Sequence, residues 1–168
     1  MTRFLRLISR TWGQALLPAV LALLFSCGPS NSHDSGSSPV VTGHMELNLD
    51  IAAEGDLVTT TVKVKNAKDL YGAALDLVYD PAVLEYQSAD EGALFKTGGA
   101  TNFAAALQNK KPERLVIGCS LIGQISGANG SYAIAVASFK QIATGAMEIK
   151  MENVLLLDSK QNIIFNQQ

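Results

Sequence analysis

Side chains able to support acid–base, nucleophilic or metal chemistry are few and widely spaced in this sequence. Its two histidines are His33 and His44, and neither has Cys, His or carboxylate neighbours at the spacing of a zinc site. Asp90 and Glu91 are adjacent, so in an extended chain they point to opposite sides, unlike the facing carboxylates of a glycosidase. Because a Ser-His-Asp arrangement needs a histidine inside the fold, the sequence predicts a non-enzymatic protein that uses no metal and no cofactor.

The two cysteines, Cys27 and Cys119, stand in different surroundings. Cys119 lies on an alternating apolar row, so we expect it to be buried and inert. Cys27 closes an apolar run over residues 15–25, and basic residues precede that run at positions 3, 6 and 10. The run is shorter than the roughly 20 residues of a membrane span. A positive start followed by a short apolar run is typical of a secretory signal.

The end of this run, Leu24-Phe25-Ser26-Cys27, resembles the bacterial lipobox. The resemblance implies cleavage after Ser26 and lipid attachment to Cys27, with several acyl chains holding the protein at a membrane. Gly28 in place of Asp resembles the pattern that directs lipoproteins to the outer membrane, so we expect a lipid-anchored protein of the bacterial cell envelope, at the outer membrane or cell surface. The alternative is an ordinary signal peptide or an uncleaved anchor in which Cys27 is incidental.

Composition divides the chain into three parts. We predict a lipoprotein signal peptide over 1–26, a flexible tether rich in Ser, Gly and Pro over 27–44, and a folded domain over 45–168. After Cys27 there are 10 basic and 15 acidic residues, a net charge of −5. Nucleic-acid binding requires a basic surface, so this charge excludes nucleic acid as a partner.

Period-two alternation dominates the folded part. Residues 58–65 alternate apolar and polar side chains, and residues 71–79 and 114–122 place alternate apolar residues on one face. Turn-forming segments separate these runs, for example at Asn66–Asp69 and at Asp80-Pro81. Eight or nine short strands with regular turns predict an all-β sandwich or jelly roll.

Residues 70–85, LYGAALDLVYDPAVLE, resemble the cohesin family, in which a strand ends in Tyr-Asp-Pro and a short turn leads to Val-Leu-Glu. Glu91–Phe95, the alternating run after Gly130 and the segment 158–164 resemble later parts of the family in the same order. The resemblance implies a nine-stranded jelly-roll β-sandwich. It also implies a protein partner, since cohesins hold the dockerin modules of exported enzymes, many of which degrade polysaccharides.

In the family one sheet face makes the contact, and the resemblance assigns to it the strands at 70–79, 101–107, 114–122 and 131–140. Alternation then predicts which side chains of this face point outward. The partner-binding candidates are Asp76, Val78, Val116, Ser120, Tyr132, Ile134 and Val136. Such a face is small and apolar, which favours a partner site, unless a loop or the tether covers it or a bulge shifts the parity.

Three functions remain open at this point. The first is a membrane-anchored docking module for a dockerin-type or other exported protein, linked to polysaccharide catabolism. The second is a carbohydrate-binding sandwich, although the sole tryptophan, Trp12, lies in the signal segment and only tyrosines are left for sugar stacking. The third is a structural subunit of an envelope assembly.

Overall fold

Alternation of apolar and polar residues produces strands over most of residues 44–168, the part of the chain that this computed structural model describes. The predicted signal peptide, Cys27 and the tether up to residue 43 lie outside the described residues. Within residues 44–168 there are eight strands and one short helix: β1 Glu46–Glu54, β2 Leu57–Tyr79, β3 Leu84–Glu91, α1 Ala93–Lys96, β4 Thr101–Gln108, β5 Lys111–Leu121, β6 Ala128–Gln141, β7 Ile149–Asp158 and β8 Ile163–Gln167.

Strand β2 is 23 residues long and belongs to both layers of the fold. Its middle carries register shifts, and Asn66 and Asp69 there adopt left-handed φ values of 55° and 54°, a conformation that Asn and Asp tolerate better than most residues. The sequence predicts a turn at Asn66–Asp69, and the structure replaces it with this kink in one continuous strand. Counted as two halves, β2 brings the described strands to the nine that were predicted.

Two antiparallel layers share this strand. Residues 57–64 of β2 pair with β1 and β6, and β6 pairs with β3, which makes the first layer. Residues 70–79 pair with β5 and β7, and these pair in turn with β4 and β8, which makes the second layer.

The inner sides of both layers pack into one hydrophobic core. Val58, Val62 and Val64 of the first half of β2 belong to the same buried cluster as Leu75 and Leu77 of its second half. Aromatic side chains join the layers, with the rings of Tyr79 and Phe139 tilted and 4.8 Å apart. The predicted all-β, nine-stranded jelly-roll sandwich is therefore confirmed.

The turn after β2 forms as its sequence predicts. The backbone N–H groups of Val83 and Leu84 donate to the carbonyl of Asp80, and the Asp80 carboxylate accepts from the N–H of Ala82. Helix α1 is apolar where it meets the core, since Leu94 and Phe95 are fully buried. No helix among the described residues is long and apolar enough to cross a membrane.

The position of β6 corrects the predicted contact face. The resemblance assigns this strand to the same face as β5, but β6 lies in the first layer, between β2 and β3. The predicted candidates Tyr132 and Val136 therefore lie in the other layer. Ile134 was predicted to point outward and is fully buried instead, because it is the extra residue of a bulge between the pairs Val62–Ala135 and Lys63–Ala133.

Candidate functional site

The outer side of the second layer has small and apolar residues at its centre and charged residues at one end. We call it the alanine face. It comprises Gly72, Ala74, Asp76 and Val78 of β2, Asn102, Ala104 and Ala106 of β4, Arg114, Val116, Gly118 and Ser120 of β5, and Lys150, Glu152, Leu155 and Leu157 of β7.

The centre of the alanine face is a shallow depression of about 300 Å³. It is bordered by Ala74, Ala104 and Gly118, with Leu155 and Leu157 on the β7 side. A Cβ added at Gly118 would meet no atom within 4 Å, so packing within the described fold does not require glycine there. Small residues where the fold does not demand them leave room for side chains of another molecule.

One end of the alanine face carries a compact charged network. The Arg114 guanidinium donates from Nη1 to Asp76 Oδ2 at 2.6 Å and from Nη2 to Glu152 Oε2 at 2.7 Å. Asn153 Nδ2 donates to the same Asp76 oxygen at 2.7 Å. These bonds raise the pKa of Arg114, with the hydrogen bond to Asp76 as the largest cause. Two carboxylates share one guanidinium, so the network keeps one net negative charge, and the buried Nε of Arg114 has no partner within residues 44–168.

Backbone geometry brings Asn153 into this network. Between the pairs Ala74–Leu155 and Asp76–Glu152 the β7 strand has a register shift, and Asn153 there has a left-handed φ of 50°. The predicted outward direction of Asp76 agrees with the structure. Its environment differs from the prediction, since Arg114 and Asn153 leave Asp76 only 8% exposed.

The outer side of the first layer has a different composition. Thr59, Thr61, Lys63 and Lys65 of β2 line it, and Lys63 pairs with Asp50 of β1 at 2.5 Å. That ion pair is about half exposed on both partners. The predicted candidate Val136 belongs to this outer side and is half-buried, whereas Tyr132, predicted to point outward, pairs past the bulge with Val64 of the inner row and is exposed at the edge of that row.

Sequence reasoning placed part of the alanine face correctly. Val116 is exposed there, and Val78 and Ser120 are half-buried with the outward parity that alternation predicts. Leu155 and Leu157 were missed, although the run Val154–Leu157 is apolar on both parities and so indicates a strand with two apolar faces. Arg114 was also missed, although it has the same parity as Val116.

The thiol of Cys119 is buried, as predicted, with 4% exposure. Burial raises its pKa to about 12, and the neighbouring Glu91 carboxylate adds to this rise. Its Sγ donates to Glu91 Oε1 at 3.4 Å, and Thr101 Oγ1 donates to Glu91 Oε2 at 3.0 Å. Through these two bonds the Glu91 side chain ties β3 to β4 and β5.

Within residues 44–168 no group of three or more His, Cys, Asp or Glu side chains is placed to hold a metal ion. The alanine face therefore offers shape, apolar surface and a few directed hydrogen bonds. These are the properties of a surface that binds another molecule by contact.

Comparison with known families agrees with this architecture. The family model of the cohesin domain matches residues 45–167, most of the chain. The chain belongs to the cohesin family. The resemblance drawn from Tyr79-Asp80-Pro81 and its neighbours is thereby confirmed.

Solved cohesins share the fold of this domain. A type II cohesin in a cohesin–X-dockerin complex from Acetivibrio cellulolyticus is 16% identical, with a TM-score of 0.59 over 72% of this chain and 91% of that one. A non-cellulosomal cohesin from the archaeon Archaeoglobus fulgidus is 16% identical, with a TM-score of 0.57 over 73% of this chain and 84% of that one. A type II cohesin from the cellulosome of A. cellulolyticus is 19% identical, with a TM-score of 0.58 over 74% and 89%. Among curated proteins none matches this chain significantly.

Proposed function

We propose that this cohesin domain is a non-catalytic docking module that binds an exported protein through the alanine face. The observation that carries the proposal is the contrast between the two outer sides of the sandwich. The alanine face has a central depression without charged residues, whereas the first layer presents threonines and lysines to solvent. Centres of protein interfaces are depleted in charged residues, because burying an unpaired charge is costly.

The charged network supports the same role. Asp76 and Glu152 both pair with Arg114, so a partner that covers them buries no side chain without an ion-pair partner, although the trio keeps one net negative charge. Their fixed geometry provides directed hydrogen-bonding groups beside an apolar centre. An apolar centre next to a polar rim is the usual arrangement of a protein–protein interface.

The class of partner that we propose is a dockerin-type module. The A. cellulolyticus relative was solved in a complex with an X-dockerin, and membership of the family makes the same class of partner the first candidate here. In the family the calcium belongs to the dockerin, whose duplicated loops bind it. Binding to this domain should therefore require calcium, although the domain itself supplies no calcium ligands in our proposal.

The proposal extends to where the module works. A lipid on Cys27 would hold it at the bacterial envelope, with the Ser/Gly/Pro-rich segment as a tether. A docking module displayed there would recruit exported enzymes to the cell, and enzymes of polysaccharide breakdown are the class that the family suggests. Replacing Cys27 with Ala should release the protein from the membrane fraction, whereas retention there would contradict the lipid anchor.

The docking function is tested by using the full chain as bait for proteins exported by its own source organism. We expect retained proteins to carry duplicated calcium loops, and we expect a calcium chelator to release them. Capture that persists without calcium, or retention on insoluble polysaccharide alone, would reject dockerin-type docking. The second result would identify a carbohydrate-binding module instead.

A further inference from the structure

Strand β4 differs from the other edge strands of the sandwich. Among the described residues it pairs with β5 alone, so its other side is open. The edge strands β1 and β3 carry acidic residues along their length, and β8 spans only five residues. In contrast, residues 97–109 contain no charged side chain and no proline. Natural proteins usually protect an open edge with charges or proline, because an unprotected edge pairs with other strands.

The hydrogen-bonding parity of β4 shows which backbone groups face the open side. The N–H of Ile122 donates to the carbonyl of Ala100 at 2.9 Å, next to the pair Thr101–Leu121. In an antiparallel ladder the direction alternates from one residue to the next, and the register is unbroken as far as Leu107. The N–H and C=O groups of Phe103, Ala105 and Leu107 therefore point away from β5.

The side chains of β4 form an approximate palindrome. Residues 102–108 are Asn-Phe-Ala-Ala-Ala-Leu-Gln, with an amide at each end, a large apolar residue next, and three alanines centred on Ala105. The centre of this symmetry is one of the residues whose backbone faces the open edge. A two-fold axis at Ala105 would place Phe103 against Leu107 of a second copy and Asn102 against Gln108 of that copy.

We infer that β4 is a homodimerisation edge, at which two copies of this chain pair antiparallel about Ala105. Phe103, Ala105 and Leu107 of each copy would form about six backbone hydrogen bonds across the axis. On the inner side, Phe103 is half-buried and Leu107 is 42% exposed, so the second copy would cover apolar surface that is open in the monomer.

Charge at the ends of the strand agrees with this register. The β4–β5 hairpin tip of one copy would bring Lys110 opposite Ala100 of the other, with Lys111 next to it at the start of β5. There the Thr101 hydroxyl already donates to the carboxylate of Glu91, which supplies an acidic group near the incoming lysines. Because the axis is two-fold, this complementarity occurs at both ends.

The pairing has a consequence for the outer surface. Ala104 would lie opposite Ala106 of the second copy, so the two alanine faces would join into one continuous sheet surface. A dimer would then present two candidate docking faces side by side. The inference does not depend on the proposed partner, since it concerns an edge and the proposed function concerns a face.

Register-specific cross-linking tests the inference on the full chain with Cys27→Ser. Two single variants, Ala104→Cys and Ala106→Cys, are oxidised separately and as a mixture. Opposed residues at positions 104 and 106 have Cα atoms about 4.5 Å apart, within disulfide range, whereas like positions are diagonal neighbours about 7–8 Å apart. We expect the mixture to give at least about tenfold more disulfide dimer than either variant alone. Equal yields in all three samples would overturn the register.

Sedimentation velocity of the same full chain tests association itself. The Cys27→Ser chain should dimerise reversibly, and Ala105→Lys, which places two like charges at the axis, should weaken dimerisation by at least about tenfold. Ala89→Lys on edge strand β3 is the matched control and should leave dimerisation unchanged. A chain that stays monomeric at all concentrations, or a control that weakens dimerisation equally, would overturn the inference. If Ala105→Lys loses its β-sheet circular dichroism, the cross-linking yields decide alone.

Discussion

The two outer sides of this sandwich belong to the same strand, β2, yet they have opposite surface chemistry. Residues 57–65 present Thr and Lys outward, and residues 70–79 present Gly, Ala and Val with one aspartate, Asp76, that is paired with Arg114. The inner sides of both halves are buried, and they are apolar apart from Thr60 and the Tyr79 hydroxyl. Packing therefore explains the inner rows but not the difference between the outer ones. A difference that the fold does not require is the strongest indication that one side is kept for binding.

Each outer side carries an ion pair, and we expect the largest difference between the two sides in how much each pair contributes to the free energy of unfolding. Asp76→Ala removes a carboxylate that is 8% exposed and leaves Arg114 and Asn153 without it, whereas Asp50→Ala removes half of an exposed pair with Lys63. Removing one partner of a shielded pair costs far more than removing one from an exposed pair. We expect the loss in free energy of unfolding to be at least about threefold larger for Asp76→Ala, measured by urea denaturation. Similar losses would mean that the network on the alanine face is as solvated as the surface pair.

The inner rows of the two layers differ in one buried polar residue, and we expect this residue to lower the stability of the domain. Thr60, fully buried under the first layer, has a hydroxyl with no hydrogen-bond partner in residues 44–168, whereas the inner row of residues 73–79 is apolar apart from the tyrosine hydroxyl. Thr60→Val should stabilise the domain by about 1 kcal/mol, because the shape is kept and an unsatisfied hydroxyl is removed. Thr59→Val, on the outer side of the same strand, should change stability by less than about 0.5 kcal/mol. A destabilised Thr60→Val variant would show that this hydroxyl is satisfied.

We expect the smallest effect on stability at the junction between the two halves of β2, and only at acidic pH. The side-chain hydrogen bond from Ser159 and the backbone N–H of Gly127 lower the pKa of Asp69, and the side-chain amide of Asn162 lowers the pKa of Asp158. A carboxyl whose folded pKa is depressed stabilises the fold above its unfolded pKa, near 3.8, and this contribution is lost as the pH falls through the folded value. The midpoint temperature of thermal unfolding should therefore fall less steeply between pH 6 and pH 2 for Asp69→Asn than for the parent chain. Parallel declines would show that the junction does not depend on the charge of Asp69.

Alternation of residues predicts the rows of this fold but not which strands are neighbours. Leu75, Leu77, Leu115 and Ile117 are buried as their parity requires, and Val116 is exposed as predicted. The neighbours of β6 are a long-range choice that parity leaves open, and the family resemblance used to make that choice assigned Tyr132 and Val136 to the wrong layer.

Local irregularities account for the other differences. The bulge at Ile134 turns one side chain inward, and the left-handed residues Asn66 and Asp69 bend β2 where a turn was expected. Asn153 joins the Asp76 network through a second bulge. Such features depend on the opposing strand, so a single sequence does not reveal them.

The central claim is that a protein partner docks on the alanine face, and a pair of matched valines tests it directly. Val116 on β5 and Val136 on β6 both point outward from strand centres, and each has an aspartate as a cross-strand neighbour, Asp76 and Asp90 respectively. Each is replaced by Lys in the full chain, and calcium-dependent capture of exported proteins is measured against the parent. We predict that Val116→Lys weakens capture by at least about tenfold, because it places a charge in the contact surface, and that Val136→Lys leaves capture unchanged. Loss of capture with Val136→Lys and retention with Val116→Lys would contradict the account.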